Sequence, residues 1–222
     1  MPKLKGMKEM LDSVLANNKN MNNIREIIKV MEKVDRKAFV KVDNPYVDMP
    51  ISIGYGQTIS QPTTVARMLS LLDLKKNDNV LEIGSGSGWN ATLTAYIVNP
   101  GKVCSIERIR ELGKFSQSNY DSLKEKLKLN NIEFIYGDAL DRKEKIWKRR
   151  YNKIIATAAV SLDFAEDLIE MGKKLLEDDG MILFPTEEGN MDLWQKIDNK
   201  LRKIYSETGF AFVPLIKGIE SE

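Results

Sequence analysis

The stretch Val80-Leu81-Glu82-Ile83-Gly84-Ser85-Gly86-Ser87-Gly88-Trp89 decides the fold. A short apolar run enters three glycines at alternate positions, and Asn90 to Val98 then reads as a helix. Strand, glycine turn and helix in that order form the first βα unit of an open α/β sheet, where ligands bind at the carboxyl ends of the strands. The alternation continues downstream. Val103 to Ile106 reads as a strand, Glu111 to Lys128 as a helix, and Ile132 to Tyr136 and Lys153 to Thr157 as strands. Leu162 to Leu176 reads as a helix, and Met181 to Phe184 as a strand entered through an Asp179-Gly180 turn. Strands alternating with helices of about 10–15 residues predict βαβ units and a doubly wound, mainly parallel sheet. Phe210 to Val213 is expected to add a strand, and Leu193 to Ser206 reads either way.

Upstream, Met10, Leu11, Val14 and Leu15 form one helical stripe, and Ile24, Ile27, Ile28, Met31 and Val34 another. The Asn-rich stretch Asn17 to Asn23 separates them as a loop. Residues 40–62 contain Pro45, Pro50, Pro62, Gly54 and Gly56, so no long helix fits there. The Ile51/Ile53 alternation allows a short strand, and Thr63 to Leu72 reads as a helix started by Pro62. The chain divides into a helical segment (1–43), a covering loop (44–62) and an α/β core (79–222), all within one domain.

Composition removes several chemistries. The 222 residues carry 34 basic and 32 acidic side chains, no histidine and one cysteine, Cys104. A Ser-His-Asp triad, a Cys-His pair, an HExxH zinc helix and an intrachain disulfide are therefore excluded. The acids are dispersed, so no metal is expected. No window approaches the ~18 apolar residues of a membrane span, and no apolar run follows the basic start, so a soluble protein of a reducing cytoplasm is expected.

Glycine spacing discriminates among ligands. A dinucleotide fingerprint needs glycine at position 89, which is Trp, and a P-loop needs Gly-Lys-Ser/Thr, which is absent. The spacing present is GxGxG, with Glu82 two positions before it. Glu107 ends the next strand, 23 positions after Gly84, and Gly137-Asp138 follows the third. A carboxylate can accept from two vicinal hydroxyls at once. Taken singly, the glycines could form a packing turn and Glu107 a solvated strand end beside Arg108 and Arg110. Together and in order they resemble the class I S-adenosylmethionine-dependent methyltransferases, whose fold is a Rossmann-like doubly wound sheet. That resemblance implies a cofactor site on Glu82, Gly84, Ser85, Gly86 and Gly88, with Glu107 on the ribose beside Arg108, and Asp138 with Ala139 near the adenine.

The segment Asn44-Pro45-Tyr46-Val47-Asp48-Met49-Pro50-Ile51-Ser52-Ile53-Gly54-Tyr55-Gly56-Gln57-Thr58-Ile59-Ser60-Gln61-Pro62 is more specific. Its Tyr-x-Asp-x-Pro lead, Ile-Gly turn and Thr-Ile-Ser core resemble the signature of the protein-L-isoaspartate O-methyltransferases. The likeness extends to Val34 to Val40, Val103 to Leu112, Tyr151 to Ile155, Thr157 to Ala159 and Phe212 to Leu215. It implies a repair enzyme that methylates the free α-carboxylate of L-isoaspartyl residues in damaged proteins and peptides. The ester then closes to a succinimide that partly reopens as aspartate. It further implies Ser60 as the catalytic residue, with Gln57, Thr58, Ile59 and Ser60 beside the cofactor. The chemistry suits a chain without histidine: a carboxylate nucleophile of reference pKa ~3.5 is already ionised at pH 7, and the thioether leaving group needs no proton.

Other readings stay open. Ser60 could instead cap the helix that follows, and the Thr58 hydroxyl could satisfy only its own loop. Trp89 either walls the cofactor pocket or fills a helix–sheet interface. Thr63 and Ala139 depart from the family's usual residues, and Thr63 is expected to leave a smaller or more polar pocket wall. Pro185-Thr186 departs from a small apolar pair. The basic run 142–153, with Trp147 and Tyr151 interleaved, reads as a solvated helix face. It is also the support for a rival function, an RNA methyltransferase on the same core. The stretch Ala156-Thr157-Ala158-Ala159 lacks the aromatic-flanked acidic or Asn-Pro motif that a base-directed enzyme is expected to show. Cys104 and the methionines 10, 21, 31, 68 and 171 read as core.

Overall fold

The computed structural model describes residues 2–220, with side chains from residue 6 onward. Helices α1 (Pro2–Asn17), α2 (Ile24–Lys33) and α3 (Pro62–Leu72) surround a two-stranded hairpin, β1 (Ile51–Gly54) and β2 (Gln57–Ile59). Then come β3 (Val80–Ile83), α4 (Trp89–Val98), β4 (Val103–Glu107), α5 (Arg110–Leu127), β5 (Ile132–Tyr136), β6 (Tyr151–Ala156), α6 (Leu162–Leu175), β7 (Leu176–Pro185), β8 (Asn190–Ile197) and β9 (Lys200–Thr208).

The main sheet runs β5-β4-β3-β6-β7-β8-β9, parallel through β7 and antiparallel thereafter. The chain starts in the middle at β3, moves outward to β5, then crosses back to β6. This reversal makes the switch point between β3 and β6 where a ligand crevice opens. Alternate residues of each strand enter opposite cores. Val80, Val103, Ile155 and Leu183 pack with α1 to α4. Leu81, Cys104, Ile154 and Ile182 pack with Leu168, Met171 and Leu175 of α6. Four of the five methionines read as core are fully buried, and Met21 packs against the cluster half-buried.

Within residues 44–62 a second strand, Gln57–Ile59, pairs with the first, which alternation in so short a segment did not signal. The turn between them places Tyr55 and Gly56 both at positive φ (53° and 67°), the geometry of a tight hairpin turn. The ambiguous 193–206 segment lies within the β8–β9 hairpin. There Asp198 and Asn199 occupy positive φ (51° and 59°), a turn without the usual glycine. The α6 helix stops at Leu175, and β7 begins at once, earlier than the Met181 start expected; the Asp179-Gly180 kink lies inside it, with Asp179 at φ 62°.

Phe210 to Val213 is not a strand. Gly209, at φ 103°, turns the chain away from β9, and Pro214 has no N–H to give a ladder. What remains is one parallel bridge, in which Ala159 N–H donates to Val213 O (2.7 Å) and Leu215 N–H donates to Ala159 O (2.6 Å). The basic run is likewise not a helix face. Only Lys145–Lys148 form a single 3-10 turn. Lys145 and Arg149 both pair with Glu133, and Arg142 with Glu170. The Trp147 indole donates to Ala139 O (2.9 Å), while Ile146 and Tyr151 are buried.

Candidate active site

One cavity lies over the carboxyl ends of β3, β4 and β6, an open space of about 890 Å³ continuous with solvent. Its floor is the turn after β3. Gly84, Gly86 and Gly88 all adopt positive φ (92°, 51° and 83°), which β-carbon residues resist. A methyl group on Gly84 would lie 2.7 Å from Thr157 Oγ1, whose hydroxyl donates to Gly84 O (2.7 Å). Gly84→Ala therefore adds a clash to a backbone strain of about 1–3 kcal/mol. We expect a lowered denaturation midpoint and lost cofactor-product binding in a paired melt and titration.

The turn is held from beneath by acids. Glu107, at the end of β4, accepts from Gly86 N–H through Oε2 (3.0 Å) and from Ile109 N–H through Oε1 (3.0 Å). Burial pushes its pKa up, and the backbone donors oppose the shift. Glu82 is fully buried. It accepts from Asn90 Nδ2 (2.7 Å) and from the Ser105 hydroxyl, which stands 2.6 Å from Ser85 Oγ. Glu82 faces that network and does not line the cavity, nor does Gly88, where an added β-carbon would lie 3.0 Å from Ser116 O.

Burial raises the Glu82 pKa to about 7, against the opposing bonds from Ser105 and Asn90. A carboxyl with a raised pKa binds more protons folded than unfolded. Its contribution to stability is complete below the unfolded value and is lost as pH rises toward 7. Glu82→Gln keeps an acceptor for Asn90 and offers a donor to Ser105. Thermal melts from pH 5 to 8 should therefore show the wild type losing stability with rising pH more steeply than this variant.

The other expected residues meet in the cavity. Gln57, Thr58, Ile59 and Ser60 line one side; Gly84, Ser85, Gly86, Glu107 and Arg108 line the floor; Asp138 and Ala139 close the far end. Asp138 accepts from Leu140 N–H (2.9 Å) and from Gly218 N–H (2.7 Å), and Arg108 Nε donates to Gly218 O (2.7 Å). The C-terminal segment is thereby drawn over the site, and Val213 to Ile216 form a wall that sequence reasoning missed. Thr157 and Ala158 also line it. The block Thr157 to Ala159 and the Phe212 to Leu215 motif were the available signals.

Two open readings are decided by hydrogen bonding. The N-cap of α3 is Gln61, and among the described residues neither the Ser60 nor the Thr58 hydroxyl makes a bond within the chain. Trp89 serves both of its readings. It is buried, its indole donates to Val34 O (3.0 Å), and it lines the cavity. Thr63 is not among the residues lining this cavity; its N–H and hydroxyl donate to Asp48 (2.9 and 2.5 Å), which also accepts from Ser13 (2.7 Å). Cys104 is a buried thiol in the apolar core cluster that accepts from Arg149 Nη1 (3.6 Å), its pKa raised by desolvation against that opposing charge. Among the described residues, no cluster of acids, cysteine or histidine has metal-site geometry. No helix among them is long and apolar enough to cross a membrane.

A Rossmann-like sheet with this glycine turn and strand-end acid defines a class I S-adenosylmethionine-dependent methyltransferase. The profile of the family described as Protein-L-isoaspartate(D-aspartate) O-methyltransferase (PCMT) matches residues 7–220. The chain belongs to that family. It is 38% identical over 197 residues to a protein-L-isoaspartate O-methyltransferase of Fervidobacterium nodosum, covering 86% of this chain and 94% of that one. To the Pyrococcus horikoshii protein of the same name it is 41% identical over 202 residues, covering 83% and 85%. In three dimensions it resembles a Plasmodium falciparum protein assigned to the same activity and solved with S-adenosyl-L-homocysteine. The TM-score is 0.78 at 28% identity, over 92% of this chain and 97% of that one.

Proposed function

We propose that this chain transfers the methyl group of S-adenosylmethionine to the free α-carboxylate of L-isoaspartyl residues, with Ser60 as the group that orients that carboxylate. One observation carries the assignment of roles. The Thr58-Ile59-Ser60 segment and the glycine turn face each other across one cavity, with the two hydroxyls unpaired among the described residues.

The residues present fit the cofactor. Gly84 has no room for a side chain, so a ligand's aminocarboxypropyl end would meet bare backbone. Glu107 would take the ribose hydroxyls, since two carboxylate oxygens have lone pairs beyond those used by Gly86 and Ile109. Asp138 and Ala139 would lie along the adenine. When bound, S-adenosylmethionine supplies a methyl group activated by a sulfonium.

What the protein must add is alignment. Well-oriented groups gain about 7–11 kcal/mol over a bimolecular encounter. The Ser60 hydroxyl donates one hydrogen bond, enough to aim a carboxylate oxygen at the methyl carbon without protonating it. More donors would stabilise the ground-state anion and blunt it as a nucleophile. The group leaving the methyl carbon would be a neutral thioether, so this chain's residues need supply no proton to it. No base or acid enters, in keeping with a chain that contains no histidine.

The test uses labelled S-adenosylmethionine and two synthetic peptides that differ only in one L-isoaspartyl or L-aspartyl residue. Label on the isoaspartyl peptide alone, released as methanol in alkali, is the expected result. Label on neither peptide, with cofactor product still bound, would sink the substrate reading and make transfer RNA the next substrate to try.

A further inference from the structure

The sequence reading gave Arg36 no role, yet it is among the largest fully buried side chains. It opens the 3-10 turn Arg36–Phe39, just after α2. Its Nη1 donates to Pro45 O (2.7 Å) and Val47 O (2.9 Å). Its Nη2 donates to Met49 O (2.9 Å) and is shared between Ser60 O (3.2 Å) and Ile59 O (3.5 Å). The first three carbonyls belong to alternate residues of the arm entering the β1–β2 hairpin, and the last two to the arm leaving it. One guanidinium therefore closes the base of the hairpin from both sides. Its Cζ also lies 5.4 Å from the centroid of the Trp89 ring, and Trp89 directly follows the glycine turn. Burial lowers the Arg36 pKa to about 10, opposed by Asp48, so the group stays protonated at neutral pH.

We infer that Arg36 is a positioning residue for methyl transfer: it sets Ser60 against the glycine turn by tying both arms of the hairpin to Trp89. This rests on the role proposed for Ser60. The glycine turn has its own supports, Glu82 and Glu107, so loss of Arg36 displaces only one side of the cavity. Lysine cannot substitute, because three donors on one nitrogen do not span carbonyls from two chain segments as a planar fork does. A displacement near 1 Å at a reacting group can cost about 10²-fold in rate.

Arg36→Lys and Arg36→Gln, made in the full chain, separate positioning from bulk stability. We expect kcat on the isoaspartyl peptide to fall about 30-fold, while S-adenosylhomocysteine affinity stays within about fivefold. Amide exchange should quicken across residues 51–60 and stay unchanged across 80–88. A kcat within about threefold of wild type in a folded variant overturns the inference. So does unaltered exchange in 51–60, and so does failure of both variants to fold, since Arg36 would then serve the fold at large. Should the wild type itself not methylate the peptide, the substrate reading fails, and the exchange pattern alone decides the role of Arg36.

Discussion

Glu107→Ala is expected to weaken S-adenosylhomocysteine binding by about 10³-fold in isothermal titration calorimetry, with little change in melting temperature. Hydrogen bonds to a charged group contribute about 1.5–3 kcal/mol each. The variant loses the two proposed bonds to the ribose hydroxyls and also the anchors of Gly86 N–H and Ile109 N–H. The turn would then have to be ordered by the ligand itself. Stability should suffer less, because burial raises the pKa of Glu107 and so makes its charge a cost to the fold. Removing that charge offsets part of the lost backbone contact. An affinity within about tenfold of wild type would mean that the ribose is held elsewhere.

Ser60→Ala should lower kcat for the isoaspartyl peptide by about 10²-fold, the scale of a reacting group left about 1 Å out of place. Cofactor-product affinity should stay within about threefold, because the glycine turn and Glu107 are untouched. The two variants thus separate the site. One removes the cofactor floor, and the other disables transfer while leaving that floor loaded. Unchanged kcat in Ser60→Ala would shift the orienting role to the Thr58 hydroxyl, which lines the same cavity.

The placement of these residues shows which signals a sequence carries. The parallel core was legible because each of its elements is defined locally. The run Val80–Ile83 is buried throughout, as an inner strand must be, and the helix after Gly88 starts within one residue of its expected position. Where expectation and structure part, the deciding term is not local. Residues 210–213 have strand-like composition, but Gly209 and Pro214 send the chain across the end of β6, where Val213 to Ile216 wall the cavity. Glu82 sits beside the glycines in sequence, yet strand parity points it beneath the turn, at Asn90 and Ser105. The Asp48 carboxylate, fifteen residues before Thr63, claims both its N–H and its hydroxyl, a pairing that no local pattern signals.

From sequence alone came the doubly wound core, the GxGxG turn with Glu107 and Asp138 after it, and the Thr-Ile-Ser segment, because each rests on spacing within a few residues or along one element. Only the tertiary structure decided that Arg36, which lies within the Val34 to Val40 likeness but was given no role there, gathers five carbonyls beneath that segment. It likewise decided that the C-terminal segment Val213 to Ile216 is a wall and that the Ser60 hydroxyl stays unpaired among the described residues. A buried guanidinium has no periodicity to betray it. Its partners are backbone carbonyls, which every residue supplies, so only folding selects which ones it meets.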